Sequence, residues 1–246
     1  KSYNFQSHTN SIRHLISIGF NLFSLANNHA YDYGFDGYYS TLREMQTLKS
    51  ETPRIAYHGV GRDLNDALTP MVFKVKGITV AFAAIGIMDG TYHASDTRPG
   101  MINFMNANLR SQLLANLRAT SADYKILSVH YGTENVQSLD GGQRALFNQM
   151  LAEGDADILI GHHPHVTRPV EKIGHRIIFY SLGNYLMLGA KDMGSLFGLF
   201  ARVQLKWDAS LNRMRAVQVE ALPLVNMHVQ PSPYDSGTSA LMIDRL

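Results

Sequence analysis

The chain has 246 residues, 45% of them hydrophobic and 17% charged, with a net charge of +2 and no cysteine. That length fits one sizeable packed α/β domain or two small ones, and the composition argues against disorder. The near-neutral charge, with no basic block carrying interleaved aromatics, argues against nucleic acid as a partner. Without cysteine there are no disulfides or thiolate sites, so a metal would have to be held by His, Asn, Asp or Glu. No apolar run approaches the roughly 20 residues of a membrane span.

Taken in chain order, Thr9 or Asn10 caps a short helix through Ile18, which Gly19 stops. Phe20 to Ala26 reads as a buried strand that opens into the polar loop NNHAYDYG. From Asp36 to about Lys49, Tyr38, Tyr39, Leu42, Met45 and Leu48 recur at helical spacing. RIAYHGVG predicts a short strand into a glycine-rich turn, and MVFKV and ITVAFAAI flank Lys76-Gly77 as a hairpin. Asn106 to Ala119 is helical by pattern, with Leu109, Leu113, Leu114 and Leu117 on one side.

KILSVH is a strand ending at His130. A helix follows from Gln143 to Glu153, with Leu146, Phe147, Met150 and Leu151 inward and Gly154 near its end. DILIG is another short buried strand. The pattern then turns to strands alone: VEKI, RIIFYSL, LFGLFARVQLKW and MRAVQVEALPLV, with turns at Gly174 and DASLN. Pro231 to Leu246 reads as a loosely held tail. The expected fold is an α/β sandwich, strand-rich in its last third, with residues 1–230 as a single domain and 231–246 as the tail.

Three of these strands, each preceded by a helix, end in polar groups. They are Asn27-Asn28-His29, His130, and the run His162, His163, His165. In open α/β sheets ligands bind at the carboxyl ends of strands, so parallel neighbours would bring these groups to one edge. Taken singly, His130 reads as a hydrogen-bonded strand-end residue, and Asn27-Asn28 as loop residues that tolerate left-handed backbone. The run HHPH is harder to explain that way. Adjacent imidazoles repel when charged and need partners when buried, whereas a metal uses their neutral lone pairs. Pro164 biases His163 towards an extended backbone, which would point His163 and His165 to one side and His162 to the other.

Four segments, SLANNHAYDYGFDG, SVHYGTENV, GDADILIGHHPHVTRPVE and IIFYSLGNYLM, resemble the bacterial capsule-synthesis CapA family, associated with poly-γ-glutamate. That family resembles a branch of the calcineurin-like metallophosphoesterases, and the similarity runs from about Phe20 to Leu186. It implies Asn28 as a metal ligand and His29 as the residue assisting near the scissile group. It implies His130, His163 and His165 as further ligands, with His162 taking one of these roles in another alignment. Asp32 and Glu134 match family positions that support the ligands. Asn184, at a further strand end, orients substrate or a ligand, and Asn27 belongs with this supporting group.

The resemblance further implies one or more divalent ions, with Zn, Mn and Fe all fitting, in a hydrolase acting on a phosphoester or a γ-linked amide. The other reading it offers is a non-catalytic accessory protein of a capsule polymer synthesis or export complex. In either reading the capsule polymer or its synthesis or export complex is the partner, and the location is extracytoplasmic or membrane-associated. The acidic motifs with which the metallophosphoesterase site begins have no counterpart between Lys1 and Phe20. Together with the absence of a starting Met, this leads us to expect the natural protein to carry its first strand ahead of Lys1.

Overall fold

The computed structural model describes residues 3–88, 92–187, 197–225 and 232–233. The chain divides into two compact units, Lys1–Ala122 and Asp123–Leu246.

The first unit opens with α1 (Thr9–Ser17). Its N-cap is His8, whose Nδ1 accepts from the Asn10 amide at 3.1 Å, in place of the expected Thr9 or Asn10. β1 (Leu22–Ser24) is shorter than the apolar run that encodes it, because its parallel partner β2 (Ala56–His58) offers three residues to pair with. Between them α2 (Gly34–Glu51) buries Tyr38, Leu42, Met45 and Leu48. Tyr39, named with them in the helical spacing, lies on the flank of that stripe and stays half exposed. Ile16, Met45, Leu48 and Ile55 form a core cluster, onto which Ile12, Phe23, Leu25 and Tyr57 pack. Each such apolar side chain, fully buried, contributes roughly 1.5–3 kcal/mol.

β3 (Val60–Gly61) and α3 (Leu64–Leu68) follow. Then β4 (Met71–Val75) and β5 (Ile78–Gly86) form the expected hairpin, with Lys76 and Gly77 both at positive φ in its two-residue turn. β5 is buried continuously from Val80 to Gly86, which accounts for its unbroken apolar sequence. β6 (Gly100–Met101) pairs with β3, and α4 (Ala107–Ala119) is capped by the Asn106 side chain.

The second unit is built on β7 (Tyr124–His130), α5 (Gln143–Gly154) and β8 (Ile158–His162), then β9 (Thr167–Ile173) and β10 (Arg176–Leu182). β7, β8 and β10 run parallel in that order, with β9 antiparallel on the outer side of β10. The long hairpin of β11 (Gly198–Asp208) and β12 (Arg213–Val225) supplies the strand-rich last third, with a register shift at Gln204/Leu205. β13 (Ser232–Pro233) pairs with the end of β12. The rest of the expected tail lies outside the described residues.

The amino ends of β7 and β8 carry buried charge. Asp157, fully buried, accepts from the Lys125 amide at 2.8 Å and from Arg213 Nη2 at 3.0 Å, and so ties the start of β12 to β8. Burial nevertheless pushes its carboxyl up to about 6, against the pull of the Lys125 amide and Arg213.

Candidate metal centre

In the first unit the candidate residues lie on the loop after β1. Asn27 Oδ1 accepts from the His29 amide at 2.8 Å, a side-chain turn that fixes the loop, and Asn28 sits half-buried between them. His29 Nδ1 lies 2.7 Å from Asp32 Oδ2, and the Asp32 side chain is fully buried. A carboxylate only accepts, so Nδ1 donates and Nε2 is the atom turned to other partners. Asp32 Oδ2 also accepts from the Phe5 amide at 2.9 Å, and the Phe5 ring stands edge-on to His29 at 4.4 Å. The imidazole is thus held by a carboxylate on one side and a ring on the other. β1 pairs with β2 in a sheet separate from that of β7 and β8.

In the second unit two of the three polar strand ends come together, those at His130 and at the His162–His165 run. β7 and β8 are neighbours, and His130 is in register with His162 at their carboxyl ends. His163, Pro164 and His165 then form a bend rather than the extended link that Pro164 suggests. His163 has φ 95° and His165 φ 60°, both in the left-handed region that disfavours side chains. Backbone bonds from Tyr131 N to His162 O (3.0 Å) and from Asn135 N to Pro164 O (2.8 Å) hold the bend. Non-glycine residues kept there cluster at functional sites.

The bend places His163 Nδ1 3.2 Å from His130 Nε2. Two imidazole nitrogens bound to one tetrahedral zinc-like ion stand about 3.4 Å apart, so this pair already has ligand spacing. On the other edge of the ring, His163 Nε2 faces Glu134 Oε1 at 3.8 Å, beyond a hydrogen bond but near enough for the carboxylate to act through its charge. His165 Nδ1 lies 2.8 Å from Oδ1 of the buried Asn184, which fixes the His165 proton on Nδ1 and leaves its Nε2 lone pair available. His162 stacks near His130 at 6.5 Å, and burial pushes its imidazole down to about 4, so it is neutral at pH 7. The donors therefore fit a divalent ion in type, and the His130–His163 pair in spacing. Among the described residues, however, no three His, Asp or Glu side chains are gathered closely enough to hold one ion.

Arg168, in the motif HVTRPVE, was not singled out from the sequence. Its strand, TRPVEKI, also carries Glu171 and Lys172, so the charge of Arg168 gave no signal of its burial. The side chain is fully buried, with Nε donating to Val136 O at 2.9 Å and Nη2 to Thr133 O at 3.0 Å. Nη1 donates to Gln143 Oε1 at 2.7 Å and to Asp140 Oδ2 at 3.3 Å. Burial alone would raise the Asp140 carboxyl, but hydrogen bonds from Thr133 and Arg168 outweigh it and hold the group below its usual range. Thr133 and Val136 flank Glu134, so Arg168 pins the arc that carries this carboxylate. Gly132 completes the fit: at φ 130° a Cβ there would stand 2.8 Å from Arg168 Nη1.

The fold is metallophosphoesterase-like. It superposes on NAD nucleotidase from Haemophilus influenzae with a TM-score of 0.51 at 12% identity, covering 97% of this chain and 48% of that one. Residues 1–188 match the family model described as bacterial capsule synthesis protein PGA_cap, and the chain belongs to that family. It is 31% identical over 188 residues to the PGA biosynthesis protein CapA of Bacillus subtilis, covering 76% of this chain and 47% of the relative. It is 25% identical over 193 residues to a Mycobacterium tuberculosis protein named "Probable polyglutamine synthesis accessory protein", covering 73% and 48%. The chain spans about half the length of these relatives.

Proposed function

We propose that this chain is the metal-dependent hydrolytic part of a capsule poly-γ-glutamate synthesis protein, working outside the cytoplasm or at the membrane. The observation that carries the reading is the His130–His163 nitrogen pair at the carboxyl ends of two parallel strands, backed by Glu134. In this reading His130 and His163, together with His165 through its Nε2, hold a divalent ion, with Zn, Mn and Fe all suited to imidazole donors. Asn28 and His29 take their ligand and assisting roles from the family resemblance. A divalent ion bound there would supply Lewis-acid polarisation of a phosphoryl or carbonyl oxygen and an acidified water. Glu134 lends negative charge beside His163, and Asn184 fixes the tautomer of His165. Asp32 turns Nε2 of His29 outward as the atom that exchanges a proton with the substrate's leaving group.

A second reading is favoured by the lack of a closed three-residue ligand set among the described residues and by the accessory name of the mycobacterial relative. It makes the chain a non-catalytic member of the polymer's synthesis or export complex. Elemental analysis separates the two. Protein loaded with Zn, Mn or Fe and freed of excess is expected to retain near-stoichiometric metal. His163→Ala and His165→Ala lose most of it, and His14→Ala, on α1, keeps it. Equal retention in all of them would sink the ligand assignment, and no retention in any would favour the accessory reading.

A further inference from the structure

Helix α2 segregates its polar residues. Glu44 and Glu51 are both taken up by Arg13 of α1, with Glu44 at 3.6 Å. On another side, Tyr39, Arg43, Gln46 and Lys49 follow one another at i, i+4, i+7 and i+10 and form a single stripe. All four carry hydrogen-bond donors and none is acidic. Over those ten residues the stripe runs roughly 15 Å. It forms one wall of a groove of about 600 Å³, with Tyr57 and Met71 contributing apolar surface opposite.

The cations of this groove differ in how they are satisfied. Arg62 is spent on Asp66, which takes both its Nε and Nη2 at 3.0 and 3.1 Å. Lys49 is half-buried, and among the described residues its Nζ meets Met71 Sδ at 3.4 Å and the face of Tyr57 at 6.0 Å. Neither Lys49 nor Arg43 has a carboxylate partner among the described residues. A half-buried ammonium against a thioether and a ring has given up hydration without gaining a counter-charge, and an anion entering the groove would supply one.

We infer that this groove binds an extended chain bearing regularly spaced carboxylates, namely a segment of the γ-linked glutamate polymer. The stripe offers charge at two points and neutral donors between and beyond them, a pattern for a linear polyanion rather than for one compact anion. The Tyr57 and Met71 surface suits the methylene pairs that separate the polymer's amides. The choice of polymer rests on the proposed function, whereas the preference for an anion rests on the groove alone.

The test is fluorescence anisotropy with a fluorescein-labelled γ-linked glutamate decamer, on the full chain at low salt and at about 0.5 M salt. The parent is expected to bind, and to bind more weakly in salt. Arg43→Glu with Lys49→Glu should weaken binding at least about tenfold, and the milder Arg43→Gln with Lys49→Gln pair should fall between that and the parent. Lys74→Glu, on β4 and outside the groove, should stay within about twofold. Melting temperatures of all variants guard against misfolding, and the Gln pair keeps helix propensity if the Glu pair does not fold. No binding by the parent, an equal loss in Lys74→Glu, or no loss in either groove pair overturns the inference. Displacement by inorganic polyphosphate at lower concentration than by unlabelled decamer also overturns it, in favour of a phosphate ligand. Metal content measured on the same samples keeps the two readings apart: protein that holds metal but not the decamer sinks the groove, and the converse sinks the metal centre.

Discussion

Replacing Arg168 by Met keeps an unbranched apolar stem and removes the guanidinium. Four acceptors lose a donor together: Val136 O, Thr133 O, Gln143 Oε1 and Asp140 Oδ2. An orphaned buried acceptor costs about 1–3 kcal/mol. Thr133 and Val136 are on an exposed arc, and Asp140 keeps 18% of its side chain exposed, so water recovers much of those three. Gln143 is buried and keeps only the longer bond from the Asp140 amide, at 3.3 Å, so it bears most of its loss. The sum is about 3 kcal/mol, within the range for breaking a buried charged pair. Trp207, the only tryptophan, lies in β11 of the same unit, so its fluorescence in urea reports on the affected unit. With a slope of about 2 kcal/mol per molar, the midpoint should fall by about 1.5 M. Arg168→Lys should recover less than half of this, because an ammonium cannot reproduce the planar fork. A Met variant whose midpoint stays within about 0.3 M of the parent would refute the reasoning.

Gly161→Ala would set a Cβ 2.1 Å from Tyr180 O on β10, and backbone cannot swing aside as a side chain does. We expect a loss of about 3 kcal/mol or failure to fold, measured as above; a wild-type midpoint would show that β8 and β10 can part at no cost. Glu134→Gln should lower metal affinity by about tenfold or more in a competition titration with a chelating dye, with little change in melting temperature. An unchanged affinity would remove Glu134 from the centre. Burial holds His58 down to about 4, against an ordinary value of 6.5, while its Nδ1 accepts from the Ala84 amide at 2.9 Å. The unfolded chain therefore binds the proton more tightly, and stability present above pH 6.5 drains away as pH falls towards 4, by about 3 kcal/mol in all. In calorimetry, His58→Gln should flatten the acid limb between these values by that amount; an unchanged slope would assign the loss to other groups.

The parts of the fold that depend on local pattern were legible in the sequence. α4 and α5 follow from leucine spacing and the β4–β5 hairpin from Lys76-Gly77. The carboxyl ends of β7 and β8 follow from apolar runs stopping at histidine. The parts set by partners far along the chain were not legible. β1 is shortened by the length of β2, and β3 and β6 are two-residue pairings with no pattern of their own. The bend at His163 and His165 runs against the preference that a following proline imposes on His163. It persists because Tyr131 and Asn135, on the adjoining arc, hydrogen-bond across it. For the same reason the histidines could be picked out as donors while the tautomer of His165 could not: it depends on Asn184, 19 positions further on.

The left-handed backbone of His163 and His165 has an evolutionary corollary. Glycine would relax both positions, and asparagine would sit there with less strain than histidine. A selection for thermal stability alone should therefore drift both sites away from imidazole, and a selection for the protein's work should hold them. Deep mutational scans under the two regimes would diverge most sharply at these two codons, giving a way to locate the working centre of the molecule without knowing its substrate.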